Sequence, residues 1–369
     1  MVSVNTAYST NSYYKAAASA SAATAGSAAN TTAPATTATS TAATSVTLSD
    51  EAKAALAAKD FATVLADTHA KLTQLLKDAE RDSPLKDGQL ALDLSSLDAR
   101  ELFAMASNDS FKPDEREAAG LEMQRRFEAA LQGPAALAKV TGNYTGLYKA
   151  AAEFLDALGP EEKADADWIA GRAAITDAQK QLATDPSKLP SAGEDDPVAL
   201  YLALVEAGEQ VKPQPIADVA TTARKTLDSL YAEANSNGKV PTFNKNTTIG
   251  TYIDMSKFDS RTLSSIVLDT TGKFTTDETS AAQKAMHAKS GAALLAGFQN
   301  ASKSSDPTAF SQNIMSIFSS LSPEERQAAG WSEKFYQAAV ESYTTTSKLT
   351  QMFAEAGGDS TGFMSWLGK

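Results

Sequence analysis

The chain contains no cysteine, which excludes disulfides, zinc–thiolate sites and thiol nucleophiles. Histidine is nearly absent as well. His69 and His287 are expected on helices at non-equivalent positions, where a lone histidine is ordinarily a surface or boundary residue rather than a catalyst or metal ligand. Positive charge is in short supply: 33 Lys and Arg stand against 45 Asp and Glu, for a net charge of −12. That balance argues against nucleic acid as a partner, since phosphate contact needs clustered Lys and Arg. It suits solubility or a basic protein partner. No apolar run reaches the length needed to cross a bilayer, so no membrane insertion is expected. The N-terminus lacks signal-peptide grammar, with only Lys15 ahead of a run of small residues, so Sec export is not expected. There is also no Gly-rich phosphate loop, no His-Glu-x-x-His and no Gly-x-Ser-x-Gly. No cofactor and no catalytic set are read from these residues.

What the chain does have is a repeat. Trp168 and Trp331 each stand ten residues after a leucine, Leu158 or Leu321, with Pro160-Glu161-Glu162 or Pro323-Glu324-Glu325 between. Upstream, Asp98, Arg100 and Leu102 correspond to Asp259, Arg261 and Leu263. Phe111, Asp114, Glu115, Ala118, Ala119 and Met123 correspond to Phe274, Asp277, Glu278, Ala281, Ala282 and Met286. Leu72, Leu75 and Ala79 align with Leu227, Leu230 and Ala234 after the offset shifts, and the shifts fall where turns are expected. Loops absorb insertions and packed helices do not. The sequence therefore predicts a mainly α protein of two homologous helical bundles from a tandem duplication, with at most very short β segments.

The predicted organisation has five parts: a disordered head (1–46), a first helical unit (47–184), a linker with a bridging helix (185–215), a second helical unit (216–353) and a tail (354–369). Ala, Thr and Ser fill 33 of the first 46 positions, and such a segment has too little to bury to offset its ordering entropy. It reads either as a floppy extension or as a type III or flagellar export signal. Ser49 is the expected N-cap of the first helix, which carries Leu56. Helices are expected over about 62–79 and its partner 216–234, each followed by a polar turn and a short extended piece. Ser95 and Ser256, each with an acid three residues on, read as the next N-caps. Pro113 with Glu115, and Thr275 with Glu278, mark further helix starts. Ala119, Met123, Phe127 and Leu131 form a core-facing stripe, a helix follows over about 145–158, and Ser322-Pro323-Glu324-Glu325 reads as a full capping box. The tail, with Gly357-Gly358 and Phe363-Met364-Ser365-Trp366-Leu367, either docks on the second unit or serves as a recognition handle.

Three features carry candidate chemistry. The segment from Val267 to Glu278 echoes an EF-hand calcium loop, with Asp269, Thr271 and Glu278 as the ligand candidates. Val267 stands where that loop needs Asp, and the first copy is shorter and lacks the glycine, so a plain helix–turn–helix is the favoured reading. Arg100 and Arg261 could each clamp a partner carboxylate. The competing structural reading pairs them with Asp114/Glu115 and Asp277/Glu278. Trp168 and Trp331 could line grooves, but read more simply as core plugs between helices.

The Asp-x-Arg-x-Leu, Phe-x-x-Asp-Glu-x-x-Ala-Ala and Pro-Glu-Glu pattern, with the Val46-Thr47-Leu48-Ser49 opening, resembles a loose set of uncharacterised duplicated helical proteins of alphaproteobacteria, some of which accompany flagellar or secretion genes. The resemblance spans most of residues 46–345 and implies an export- or motility-associated role, with no site attached. The expected function is that of a non-catalytic interaction protein, exported or at the cell surface without a Sec signal, or else cytoplasmic. The alternatives are a weak calcium-responsive binding protein and an enzyme without a recognisable motif.

Overall fold

A computed structural model describes residues 59–355 of the chain. The expectations for the head, for Ser49 and Leu56, and for the tail beyond 355 lie outside the described residues. Within them the protein is mainly helical with very short strands, and no helix is long and apolar enough to cross a membrane. The described chain divides into two compact units: unit 1 holds 59–131 and 142–214, and unit 2 holds 132–141 and 215–355.

Unit 1 opens with α1 (Phe61–Asp78), whose buried Val64, Thr68 and Leu72 lie four residues apart on one face. Thr68 is fully buried because its hydroxyl donates back to Val64 O at 2.7 Å. Next come β1 (Leu85–Lys86) and β2 (Gln89–Leu90), an antiparallel pair. Their turn is Asp87-Gly88, with both residues at positive φ, the pairing that a two-residue hairpin favours. Leu90, Leu92 and Leu94 then alternate inward, although the strand pairing stops at Leu90. α2 (Ala99–Ser107) and the long α3 (Pro113–Thr141) follow. The buried cluster of unit 1 joins Leu72, Leu92, Leu94, Leu102, Met105 and Phe111, and full burial of each such side chain contributes about 1.5–3 kcal/mol.

α3 starts with Pro113 at its first position, where the missing N–H costs nothing. Gly133-Pro134 lies beside the division between the units. α4 (Thr145–Asp156), α5 (Pro160–Lys163), α6 (Ala166–Thr184) and α7 (Pro197–Ala207) complete unit 1. Residues 185–215, expected as linker, thus lie in unit 1 up to Gln214. α7 packs on both α4 and α6. Asp196 anchors it: one carboxylate oxygen caps the helix through Val198 N and Ala199 N, while the other accepts from Tyr148 Oη at 2.7 Å.

Unit 2 follows the order of unit 1 from α1 to α6 with an added 3-10 turn: α8 (Ile216–Ser236), β3 (Val240–Thr242), β4 (Gly250–Tyr252), the 3-10 turn (Met255–Lys257), α9 (Ser260–Leu268), α10 (Thr276–Ser302), α11 (Ala309–Ser320), α12 (Pro323–Ala329) and α13 (Glu333–Glu355). Its cluster joins Leu227, Ile253, Met255, Leu263, Ile266 and Met286. The strands differ from those of unit 1. A longer connection, 243–249, brings β4 back parallel to β3, with Val240 opposite Gly250. Gly250 is required there, since a Cβ would stand 2.7 Å from Val240 O.

Candidate functional site

Arg100 and Arg261 each lie in a helix whose start meets the short helix of a Pro-Glu-Glu turn, α2 against α5 in unit 1 and α9 against α12 in unit 2. Asp98, not Ser95, is the N-cap of α2: its carboxylate accepts from Glu101 N at 2.8 Å, and Glu101 returns a bond to Asp98 N, closing a capping box. Asp259, not Ser256, is the N-cap of α9, accepting from Thr262 N at 2.6 Å without a returning bond. The serines sit earlier, in turns held by Asp93 and Asp254, whose carboxylates accept from Ser95 N and Ser256 N. A Ser-x-x-Asp pattern imitates a capping box, but the acid itself is the capping group.

Arg100 is also placed differently from the expectation. Its guanidinium grips Glu161 in a two-pronged ion pair, with Nε donating to Oε2 at 2.6 Å and Nη2 to Oε1. Arg261 lies 3.3 Å from Ser322 Oγ and 3.9 Å from Glu324 Oε2. The expected partners are engaged in other ways. Glu115 accepts from Lys112 N at the head of its own helix, Asp114 is half-buried and Asp277 is exposed in the first turns of theirs, and Glu278 is taken by another arginine. Capping uses these acids locally, so the arginines reach the Pro-Glu-Glu turns instead.

The second glutamate of each turn is buried. Glu162 accepts from Gly159 N through Oε2, and its Oε1 has no hydrogen-bond partner. Burial, reinforced by the charges of Asp98 and Glu161, pushes the carboxyl up to about 8. It borders a cavity of about 20 Å³ with Ala99, Leu102, Met123, Arg126 and Phe154. That volume accommodates about one water and is far below that of a small-molecule pocket. Glu325 in unit 2 is likewise raised by burial, against the opposing bonds from Ser322. For Glu161, burial acts upward, but the hydrogen bond and charge of Arg100 outweigh it and hold the carboxyl low.

Two of the three calcium candidates, Asp269 and Glu278, are engaged by the protein itself. Asp269 ends α9 in the left-handed region, and its carboxylate accepts from Lys273 N at 2.8 Å and Phe274 N at 3.4 Å. Thr271 keeps a buried hydroxyl without a partner. Glu278, almost fully buried, accepts from Arg224 Nη1 at 2.8 Å, Tyr231 Oη at 2.7 Å and Thr275 N at 2.7 Å. Burial raises this carboxyl, but those three donors and the charge of Arg224 hold it below its ordinary range. The cation that neutralises Glu278 is therefore the guanidinium of Arg224, which also lies 5.6 Å from the Phe274 ring. Among the described residues no cluster of three or more His, Asp or Glu is arranged to hold a metal ion.

Trp168 and Trp331 are both half-buried, and Trp331 packs against the core cluster of unit 2. Trp168 donates Nε1–H to Leu155 O at 3.0 Å. Trp331 packs between Phe318 and Phe335, with ring centroids at 6.4 and 5.3 Å. His69, expected at a boundary, stacks on Phe111 at 3.8 Å and bonds Ser110 Oγ at 2.7 Å. His287 is exposed.

Glu161 and Glu324 carry a sequence signal for these pairings, since they stand at near-equal separations from Arg100 and Arg261. Neither a protein-family model, nor a curated protein, nor a solved structure matches this chain.

Proposed function

We propose that this chain is a non-catalytic interaction scaffold, built of two units that descend from one by tandem duplication and exported by a type III or flagellar route. The observation that supports the scaffold reading most is the engagement of the repeated signature. Arg100, Glu161, Asp98, Arg261, Asp259 and Ser322 are all used in caps and ion pairs inside their own units. What recurs is the internal frame, which leaves partner recognition to the surfaces that differ between units.

Duplication is supported by the shared element order and by matched positions: Leu92 and Ile253 are buried alike, as are Leu94 and Met255, and Leu102 and Leu263. The net charge of −12 favours a basic protein partner.

The export part is tested by following the intact chain and a chain lacking residues 2–46 in the native host. The intact chain is expected in the medium or at the cell surface, and the shortened one inside. Retention of both inside removes the export reading, and capture of partners from the cytosol then tests the scaffold reading by itself.

A further inference from the structure

The solvent side of α10 is apolar. Lys284, Ala288, Gly291, Leu295 and Phe298 recur every three or four residues on the side opposite the buried Ala282 and Met286, and all five are exposed. Leu295 and Phe298 are each 56% exposed, on a face where a surface helix ordinarily carries polar side chains. Phe298 meets the Phe310 ring edge-on at 5.7 Å and is otherwise turned outward. The fold does not require apolar residues here. Counted from the matched Phe111 and Phe274, Ala288 and Gly291 stand where α3 has the ion-paired Arg125 and the buried Glu128, which accepts from Val211 N at 2.9 Å.

The same stretch is basic. Residues 279–305 contain Lys284, Lys289 and Lys303 but no Asp or Glu, in a chain whose net charge is −12. Among the described residues none of these lysines enters an ion pair. An apolar strip bordered by unanswered positive charge selects an acidic surface that also offers an apolar side chain. Unit 1 carries such a surface at the start of α6. Ile169 is 55% exposed there, and Asp165, one turn before it, caps the helix through Asp167 N at 2.9 Å. Partial burial, then the charges of Asp165 and Asp195, raise the Asp167 carboxyl, so these three acids lie close together. Glu194, next to Asp195 in the chain, is exposed. None of the four enters an ion pair among the described residues.

We infer that two copies of this chain associate through these surfaces, the α10 face of one copy on the start of α6 of the other, with Leu295, Phe298 and Ile169 as the apolar anchors. An acidic chain favours a basic partner, and the α10 face of a second copy is one. Two α10 faces set against each other would instead oppose lysine with lysine. Each copy in a pair keeps one surface unused, so the contact is heterologous and builds rings or open chains of copies, not a two-fold dimer. The inference goes beyond the scaffold reading in naming the partner, and it needs neither the duplication nor the export route.

Sedimentation of the full chain tests this. The average mass is expected to rise past that of a dimer as protein concentration rises, and to fall as salt is added. Leu295→Ser/Phe298→Ser and, separately, Ile169→Ser/Asp195→Lys should each weaken association by about tenfold or more. Their one-to-one mixture should form a dimer and stop there, because each copy keeps the surface that the other has lost. That rescue also shows both variants to be folded. A parent chain that stays monomeric at every concentration overturns the inference and leaves the scaffold reading to the capture of other partners. A dimer dissolved by the α10 variant but not by the α6 variant assigns the contact to two α10 faces and overturns it too. So does association that neither variant weakens, or that salt strengthens, or a mixture that stays monomeric although both variants melt as the parent does.

Discussion

At matched positions the two units solve the same problem with different chemistry. Where unit 2 has Arg224 in contact with Glu278, Tyr231 and the Phe274 ring, unit 1 has His69 stacked on Phe111 and bonded to Ser110. Where Arg100 holds Glu161 in two parallel bonds, Arg261 makes longer contacts to Ser322 and Glu324. The reason for the second difference is local. Position 159 is glycine, and the Arg100 stem passes so close that a Cβ there would stand 3.2 Å from Cγ. Position 322 is serine, whose hydroxyl caps α12 and meets Arg261. Burying the ends of two helices demands caps and a counter-charge, but does not dictate which residue supplies them.

The largest contrast should appear on removing Arg224. Arg224→Met leaves Glu278 buried without its cation and is expected to destabilise by about 2–4 kcal/mol. His69→Ala, at the matched place in unit 1, should cost about 1 kcal/mol, since it loses a stacking contact and one hydrogen bond. Urea denaturation of both variants checks this, and equal losses would erase the contrast.

The second contrast is in pH dependence. Glu162 titrates near 8 in the fold against an ordinary value of 4.5, so the folded state holds its proton more tightly than the unfolded state does. Its contribution is fully present below about pH 4.5, declines as pH rises, and levels off above about 8. Glu162→Gln should remove that decline and raise stability at pH 8.5 by an amount on the order of a few kcal/mol. Glu161 and Glu278, both held low, act in the opposite sense, and their contribution is lost as pH falls below the ordinary carboxyl range. Unfolding midpoints of the parent and Glu162→Gln across pH 4–9 show whether the difference between the two curves grows with pH.

The smallest expected effect is at the turn itself. Gly159→Ser adds a capping oxygen worth a few tenths of a kcal/mol against crowding of the Arg100 stem, for a net change within about 0.5 kcal/mol. Ser322→Gly should cost slightly more, because it also removes the contact to Arg261. Thermal midpoints measured on the two single variants are sufficient to rank them.

Much of this architecture was legible in residue order. Pro113, the Thr275–Glu278 box and the Ser322–Glu325 box mark helix starts where the structure has them, because capping is decided within four residues. Of the stripe Ala119, Met123, Phe127 and Leu131, three are buried as the spacing implied, and Met123 is half-buried against the core cluster of unit 1. Asp87-Gly88, with both residues at positive φ, is a local signal for the β1–β2 hairpin turn. The partners of Arg100 and Arg261 were not legible, since they lie 61 to 63 residues away and depend on how α2 meets α5 and α9 meets α12. Nor was the parallel pairing of β3 and β4, which a seven-residue connection does not announce. The candidate site therefore arises from packing between helices, and its individual residues did not name their partners.

The central claim is that each unit is held from within by its own arginine–glutamate frame, more tightly in unit 1. Double-mutant cycles on Arg100/Glu161 and Arg261/Glu324 measure this directly. The account predicts a coupling of about 1–2 kcal/mol for the first pair and under about 0.5 kcal/mol for the second. Negligible coupling in both pairs, or a larger value for Arg261/Glu324, would contradict it.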